Sequence, residues 1–356
     1  HTARSEAKNA FGSDELILEQ ALVDPRHVEI QLFGDSHGHL IYLGERDCSI
    51  QRRHQKVIEE APCPVMTPEL RQAMGEAALK AGRAVNYVGA GTVEFLLDRH
   101  GRFYFLEMNT RLQVEHPVSE LISGVDLVEQ QIKVARGEVL GIKQEDLTIQ
   151  GHAIELRVYA EDPLNNFLPS IGTLETYVTP EGEGVRVDDG FEEGMEIPIY
   201  YDPMIAKVIA WGPDRGVAIR RLKQALRDTC VLGPGHNKHF LSAMLSHPTL
   251  VAGGVTTSFL DTLANEGLEA PHASAHLPAI AALLWLQGTQ DPDASPSDPL
   301  GGAWTNASSR RSYLQLDQGE QTYDFRVEQS GHSYLICDAS TASNEAKAGE
   351  GETNAT

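Results

Sequence analysis

Residues 103–118 read Phe-Tyr-Phe-Leu-Glu-Met-Asn-Thr-Arg-Leu-Gln-Val-Glu-His-Pro-Val. An apolar strand, Phe103 to Leu106, runs directly into Glu107, Asn109, Arg111, Gln113 and Glu115. Strand side chains alternate between faces, so these five project to one side for as long as the backbone stays extended. Carboxylate and amide oxygens beside a guanidinium do not make a packing face. They suit a divalent cation next to an anionic substrate.

Upstream, Thr92–Leu97 and Arg102–Met108 read as a hairpin across Asp98-Arg99-His100-Gly101. It sets Glu94 opposite Leu106–Glu107, where two like charges repel unless a cation lies between them. Two carboxylates and an Asn amide are hard oxygen ligands that suit Mg2+ or Mn2+. Singly, each Glu reads better as a partner for Arg99, Arg102 or Arg111 on a solvated face; together with Asn109, Arg111 and Glu115 they read as a site. A second constellation, Gln51-Arg52-Arg53-His54-Gln55-Lys56, is locally basic in a very acidic chain and suits phosphate oxygens or a small oxyanion. It lies one strand away from His27 and Glu29. Arg186, followed by Asp188-Asp189, reads by itself as a structural ion pair.

The chain has 356 residues, room for two or more domains, and a formal charge of −22. That charge argues against duplex nucleic acid or an anionic membrane as partner. Cys48, Cys63, Cys230 and Cys337 are scattered without a CxxC, which fits a reducing compartment better than a disulfide scaffold. The sequence holds no GxxxxGK(S/T) loop, no GxGxxG after a strand and no GxSxG elbow.

The pattern predicts an α+β protein. Val28, Ile30 and Leu32 alternate with His27, Glu29 and Gln31 as a half-buried strand, and Leu40–Leu43 returns from a turn at 35–38. Thr67-Pro68-Glu69 opens a helix with Leu70, Ala73, Met74 and Ala77 inward and Gly82 at its end. Pro117 is expected to close the polar strand, and Asp126 to start a helix with Val128, Ile132 and Ala135 on one stripe. A new unit is expected near Gly151, with Ile154, Leu156 and Val158 alternating, then a helix capped by Asp214 with Val217, Ile219, Leu222 and Leu226 on its inner stripe, and another helix over 237–245. Leu277–Leu286 reads as a short helix. Residues 290–309 read as a linker, 312–338 as strands of an all-β unit, and 339–356 as a polar tail.

Several blocks together resemble biotin carboxylase, the ATP-grasp enzyme of biotin-dependent acyl-CoA carboxylases: 45–62 (ERDCSIQRRHQKVIEEAP), 85–97, 103–127, 151–163 and 200–212. The similarity covers about residues 5–262, and the continuation resembles the α subunit of a propionyl-, methylcrotonyl- or geranyl-CoA carboxylase. The resemblance implies the C-terminal part of an ATP-grasp domain (1–130), the biotin carboxylase C-terminal domain (131–265), a helix and linker (266–310) and the start of a β-barrel that joins subunits (311–356). Glu19, Gln20, Ala21 and Leu22 would hold adenine, and His27, Gln51 and His54 would contact the nucleotide. Glu94, Glu107 and Asn109 match metal ligands. Lys56, Arg111, Gln113 and Val114 match bicarbonate contacts, Glu115 the base, and Arg186 with Arg111 the residues at biotin's ureido oxygen.

The implied reaction is ATP-dependent carboxylation of biotin through carboxyphosphate. Its implied partners are a biotin carrier domain, a carboxyltransferase β subunit and bicarbonate, in an oligomer of the cytoplasm or mitochondrial matrix. The family's N-terminal domain and glycine-rich lid are expected before His1, and the biotin-bearing domain after Thr356, so the chain alone is expected to be inactive. Another ATP-grasp ligase and a non-catalytic interaction module are the competing readings.

Overall fold

The computed structural model describes residues 2–266, 276–288, 310–318, 321–330 and 333–338. It divides into two compact units, His1–Ala270 and Pro271–Thr356. The linker expected at 290–309 and the tail at 339–356 lie outside the described residues.

The first unit is organised by one sheet of eight strands. In chain order these are β1 (Arg26–Gly34), β2 (Leu40–Arg52), β3 (Gln55–Ala61), β4 (Gly89–Leu97), β5 (Phe103–Asn109), β6 (His152–Tyr159), β7 (Val185–Asp189) and β8 (Met204–Gly212). They lie in the order β7-β8-β6-β3-β2-β1-β4-β5. The strand predicted near Gly151 therefore joins the same sheet, because β6 pairs with β3. The expected boundary after residue 130 falls inside helix α4, described below.

Helix α1 (Thr2–Phe11) is exposed, and α2 (Pro68–Ala84) covers one face of the sheet. Thr67 caps α2 as expected, its hydroxyl accepting from Leu70 N, and Pro68 occupies the first turn, where no N–H is needed. The buried face of α2 differs from the predicted one. Met74, Gly75, Ala78, Leu79 and Gly82 are buried while Ala73 is exposed, and Gly82 sits within the helix. Crowding explains the shift: a Cβ on Gly75 would stand 2.4 Å from the Tyr42 ring, and one on Gly82 2.8 Å from Leu40. Met74, Ala78 and Leu79 pack on Val28, Ile30 and Leu32 of β1.

β1 is buried at all nine positions rather than on one face. Its polar face is covered by the segment after β5 and by α3 (His116–Ser123). Pro117 accordingly lies in the first turn of α3 and does not end a strand; β5 stops at Asn109. Helix α4 (Leu127–Ala135) is capped by Asp126 as expected, but it buries Leu127 and Val134 and leaves Val128 and Ile132 exposed. The inward stripe is thus turned from the predicted one, since Leu127 and Val134 join Phe33, Ile41 and Leu43 in a separate core.

On the β6–β8 side, α5 (Arg215–Asp228) is capped by Asp214 and buries Ile219, Leu222 and Leu226, as its periodicity predicts. Helix α6 (Lys238–Ser246) adds Phe240, Leu241, Met244 and Leu245 to the same core. Within the first unit no cysteine is in a disulfide. No helix among the described residues is long and apolar enough to cross a membrane.

In the second unit, Arg310–Gln318, Gln321–Ser330 and Ser333–Asp338 form an antiparallel sheet. Its inward residues are those alternation predicts: Leu314 and Leu316, Tyr323, Phe325 and Val327, Tyr334 and Ile336. The helix Leu277–Gly288 packs on this sheet through Ala279, Ala282 and Leu286.

Candidate functional site

A cleft of about 900 Å3 opens on the polar face of β1, β3, β4 and β5. The β4–β5 hairpin shows how the chain aims acids into it. Glu94 pairs with Glu107, but Phe95 pairs with Phe105, so Leu106 is an extra residue, a β-bulge. Without the bulge, Glu107 would share a face with Phe103 and Phe105. Those two rings instead stand edge-on to Phe95 at 5.4 and 6.4 Å, Phe103 joining the core under α2 and Phe105 remaining exposed. The extra residue reverses the alternation, so Glu107 and Asn109 join Glu94 and Thr92 on the cleft side.

Between the two acids sits the Asn109 amide, donating to Glu94 Oε1 at 2.9 Å and to Glu107 Oε1 at 3.1 Å. Arg111 donates to the oxygen of the same amide at 3.1 Å. A positively polarised N–H2 thus lies where two carboxylates converge, which is the place a hard cation would take with oxygen ligands on either side.

Beyond Asn109 the chain leaves the strand, and Arg111, Gln113, Val114 and Glu115 reach the cleft from a loop, not by alternation. Long-range contacts fix that loop. Lys207 Nζ donates to the Val114 carbonyl at 2.8 Å, and Gln113 bridges Glu94 Oε1 (2.8 Å) and Arg46 (3.0 Å).

Lys56 is the hub of the cleft floor. Its ammonium donates to Glu115 Oε1 (2.5 Å), Glu29 Oε2 (2.7 Å) and Glu94 Oε1 (3.3 Å). Burial disfavours its charge, but Cys48, Glu29, Glu115 and Glu94 around it outweigh burial and hold its pKa above the usual lysine value. Burial would likewise raise Glu29 and Glu94. Arg46 and Lys56 instead bring Glu29 down to about 2, and hydrogen bonding from His27 with the charge of Lys56 brings Glu94 to about 2. Both acids are ionised at neutral pH. His27 Nε2 lies 2.8 Å from Glu94 Oε2, and Gln51 Nε2 lies 3.3 Å from His27 Nδ1. His54 stands on the rim, in the two-residue turn Arg53–His54 between β2 and β3; both residues have positive φ (50° and 66°), a conformation usual for Asn or Gly.

Leu22 lines the cleft, whereas Glu19, Gln20 and Ala21 lie on an exposed stretch leading to it. Arg186 stands apart from these residues. It does not line the cleft; its guanidinium is held by Asp188 (2.7 Å) and Glu120 (2.8 Å), the ion pair its own neighbourhood suggests. Arg157 is the guanidinium that stands beside Glu115. It lines the cleft, donates to Glu59 Oε1 at 2.6 Å, and reaches Glu115 Oε2 at 3.0 Å. Glu115 is thereby gripped by a cation at each oxygen. The signal for Arg157 was present in Ile154–Tyr159, where Glu155 and Arg157 occupy one face of a strand that proves buried at all eight positions. Arg46, fully buried and bonded to Glu29, Gln31, Thr92, Gln113 and Ser119, had no such signal.

An open sheet that presents acids for a cation beside cations for an anion is the kind of site expected of an ATP-grasp protein. Residues 1–143 match the family model described as "Carbamoyl-phosphate synthase L chain, ATP binding domain", and residues 155–262 match "Biotin carboxylase C-terminal domain". Over these residues the chain belongs to the biotin carboxylase family.

The mitochondrial methylcrotonoyl-CoA carboxylase subunit alpha of Mus musculus is 51% identical over 260 residues, 73% of this chain and 36% of that protein. The biotin carboxylase of a Nostoc species is 49% identical over 261 residues, 73% of this chain and 58% of that protein. Among solved structures, the biotin carboxylase domain of the Hydrogenobacter thermophilus 2-oxoglutarate carboxylase, in complex with MgADP, ADP and bicarbonate, superposes with a TM-score of 0.72 at 45% identity. That match covers 76% of this chain and 59% of that one. The chain thus spans less than two-thirds of the length of each of these relatives.

Proposed function

We propose that the protein to which this chain belongs carboxylates biotin with ATP and bicarbonate, the first half-reaction of an acyl-CoA carboxylase. The observation that carries this reading is one cleft holding Glu94, Glu107 and Asn109 beside Lys56, Arg111, Arg157 and Glu115. The match of 155–262 to the biotin carboxylase C-terminal domain weighs against a different ATP-grasp ligase.

Glu94, Glu107 and Asn109 would hold Mg2+ or Mn2+, a role their oxygen donors and the bridging amide fit. When bound, the metal offsets phosphate charge and aligns the phosphoryl group for in-line transfer. The remaining work belongs to side chains. His27, Gln51, His54 and the segment from Glu19 to Leu22 border the nucleotide's place. Lys56 and Arg111, with Gln113 and the Val114 backbone, orient bicarbonate. Glu115 accepts its proton, kept in place by Lys56 and Arg157. Arg111 and Arg186 would face the ureido oxygen of biotin, where negative charge grows as N1 loses its proton, and preorganised guanidiniums favour that state over the ground state.

The partners in this reading are a biotin carrier domain and a carboxyltransferase β subunit in an oligomer, and the setting is bacterial cytoplasm or the mitochondrial matrix. The test is ATP-dependent carboxylation of free biotin by the intact α subunit. Arg111→Ala is expected to lower the rate on the order of 10²–10³-fold, the scale of losing one oxyanion donor. An unchanged kcat removes Arg111 from the chemistry.

A further inference from the structure

Beneath Arg157 lies a pair of acids that the reaction above does not use. Glu59 on β3 and Glu155 on β6 face one another in register, and neither has any exposed surface. Arg157 occupies one oxygen of Glu59; the other oxygen of Glu59 and both oxygens of Glu155 have no hydrogen-bond partner among the described residues. A buried carboxylate with nothing bonded to it is strongly disfavoured, a penalty that a proton removes.

The charges facing this pair can be named element by element. β6 supplies Arg157, β8 supplies Lys207 and β3 supplies Lys56, while Glu115 approaches from the loop before α3. The cations are already committed: Lys207 to the Val114 carbonyl and to Asp188 at 3.1 Å, Lys56 to Glu29, Glu94 and Glu115, and Arg157 to Glu59 and Glu115. Helix α3 brings Val118 and Ile122 over this face, and its ionisable Glu120 is spent on Arg186. Acids therefore outnumber the cations free to neutralise them.

We propose that Glu155 carries a proton which it shares with Glu59, and that this pair is a positioning device that aims Arg157 at Glu115. One proton turns two of the three unbonded oxygens into a donor and an acceptor. It leaves Glu59 a single negative charge with which to hold Nε and Nη2 of Arg157 through one oxygen, so Nη2 stays turned to Glu115. Glu155, with no cation of its own, is the natural seat of the proton. Burial, with the nearby charge of Glu59, pushes Glu155 well above the ordinary carboxylate range, and burial lifts Glu59 to about 7 against the pull of Arg157. When the proton leaves, two adjacent buried carboxylates compete for Arg157, and its contact with Glu115 loosens. The role of Glu115 and Arg157 in this inference rests on the proposed carboxylation.

Two measurements test it. Infrared spectra of the chain at neutral pH, with glutamate isotopically labelled, are expected to show the carbonyl stretch of an un-ionised carboxyl. Glu155→Gln should remove that band, and Glu155→Asp should shift it. Absence of the band overturns the shared proton, and this readout does not depend on what reaction the protein catalyses. In the intact α subunit, the alkaline limb of the pH–rate profile for biotin carboxylation is expected to move upward by about one pH unit or more in Glu155→Gln, because the neutral amide has no proton to lose. A profile superimposable on that of the unmodified enzyme overturns the positioning role. If the protein carries out some other reaction, the infrared band remains while biotin carboxylation is absent from the start.

Discussion

Arg46→Met probes the buried charge network most directly. Arg46 has no exposed surface, and its guanidinium holds Glu29 Oε1 at 2.6 Å while also serving Gln31, Thr92, Gln113 and Ser119. Removing it leaves Glu29, itself fully buried, with Lys56 as its remaining charged hydrogen-bond partner. Breaking a buried pair in this way costs roughly 3–5 kcal/mol.

The titration of Glu29 gives a second figure. Its carboxyl lies at about 2 rather than 4.5, despite the opposing effect of burial. At about 1.4 kcal/mol per tenfold, that difference is on the order of 3 kcal/mol. Because the folded value is the lower one, this stabilisation is complete above pH 4.5 and is lost as pH falls towards 2. A total stability of roughly 5–15 kcal/mol makes such a loss easy to see.

The assay is urea unfolding at pH 7 followed by Trp211 fluorescence, with Trp285 and Trp304 replaced by Phe. Arg46→Met should lower stability by about 3 kcal/mol or more, and adding Glu29→Gln should recover part of the loss, since it removes the stranded charge. Glu29→Gln alone should flatten the pH dependence between pH 4.5 and 2. A cost below about 1 kcal/mol for Arg46→Met, or a double mutant no more stable than the single one, refutes the argument.

Three further outcomes are expected. Gly75→Ala, which would normally help a helix by about 1 kcal/mol, should instead destabilise by roughly 1–3 kcal/mol because the new methyl meets the Tyr42 ring; a rise in Tm would refute this. Thr67→Ala should cost about 1 kcal/mol in the same unfolding assay, with Thr67→Ser close to neutral, since only the hydroxyl caps α2. Arg157→Ala in the intact α subunit should lower kcat on the order of 10²-fold or more, because Glu115 loses the cation at its Oε2; an unchanged kcat would refute this.

Much of this protein was written locally. The Thr67 cap, the β4–β5 turn, the inward stripe of α5 and the alternating strands of the second unit each depend on residues a few positions apart, and the sequence predicted all of them. So too the grouping of Glu94, Glu107 and Asn109, and the cationic turn that delivers Lys56. Tertiary structure decided what local pattern could not. The bulge at Leu106 sets which face Glu107 occupies, and nothing in the alternation of 103–109 announces it. The inward side of α4 was chosen by the core it meets rather than by its own periodicity.

Arg157 and Glu155 acquire their meaning from the pairing of β6 with β3, which joins Glu59 to residues almost a hundred positions away. Arg46 acquires its own from elements that meet only in the folded sheet. The physical reason is common to these cases. Whether a charged side chain is a solvated surface group or a member of a site depends on what excludes water from it, and exclusion is a property of the assembled layers.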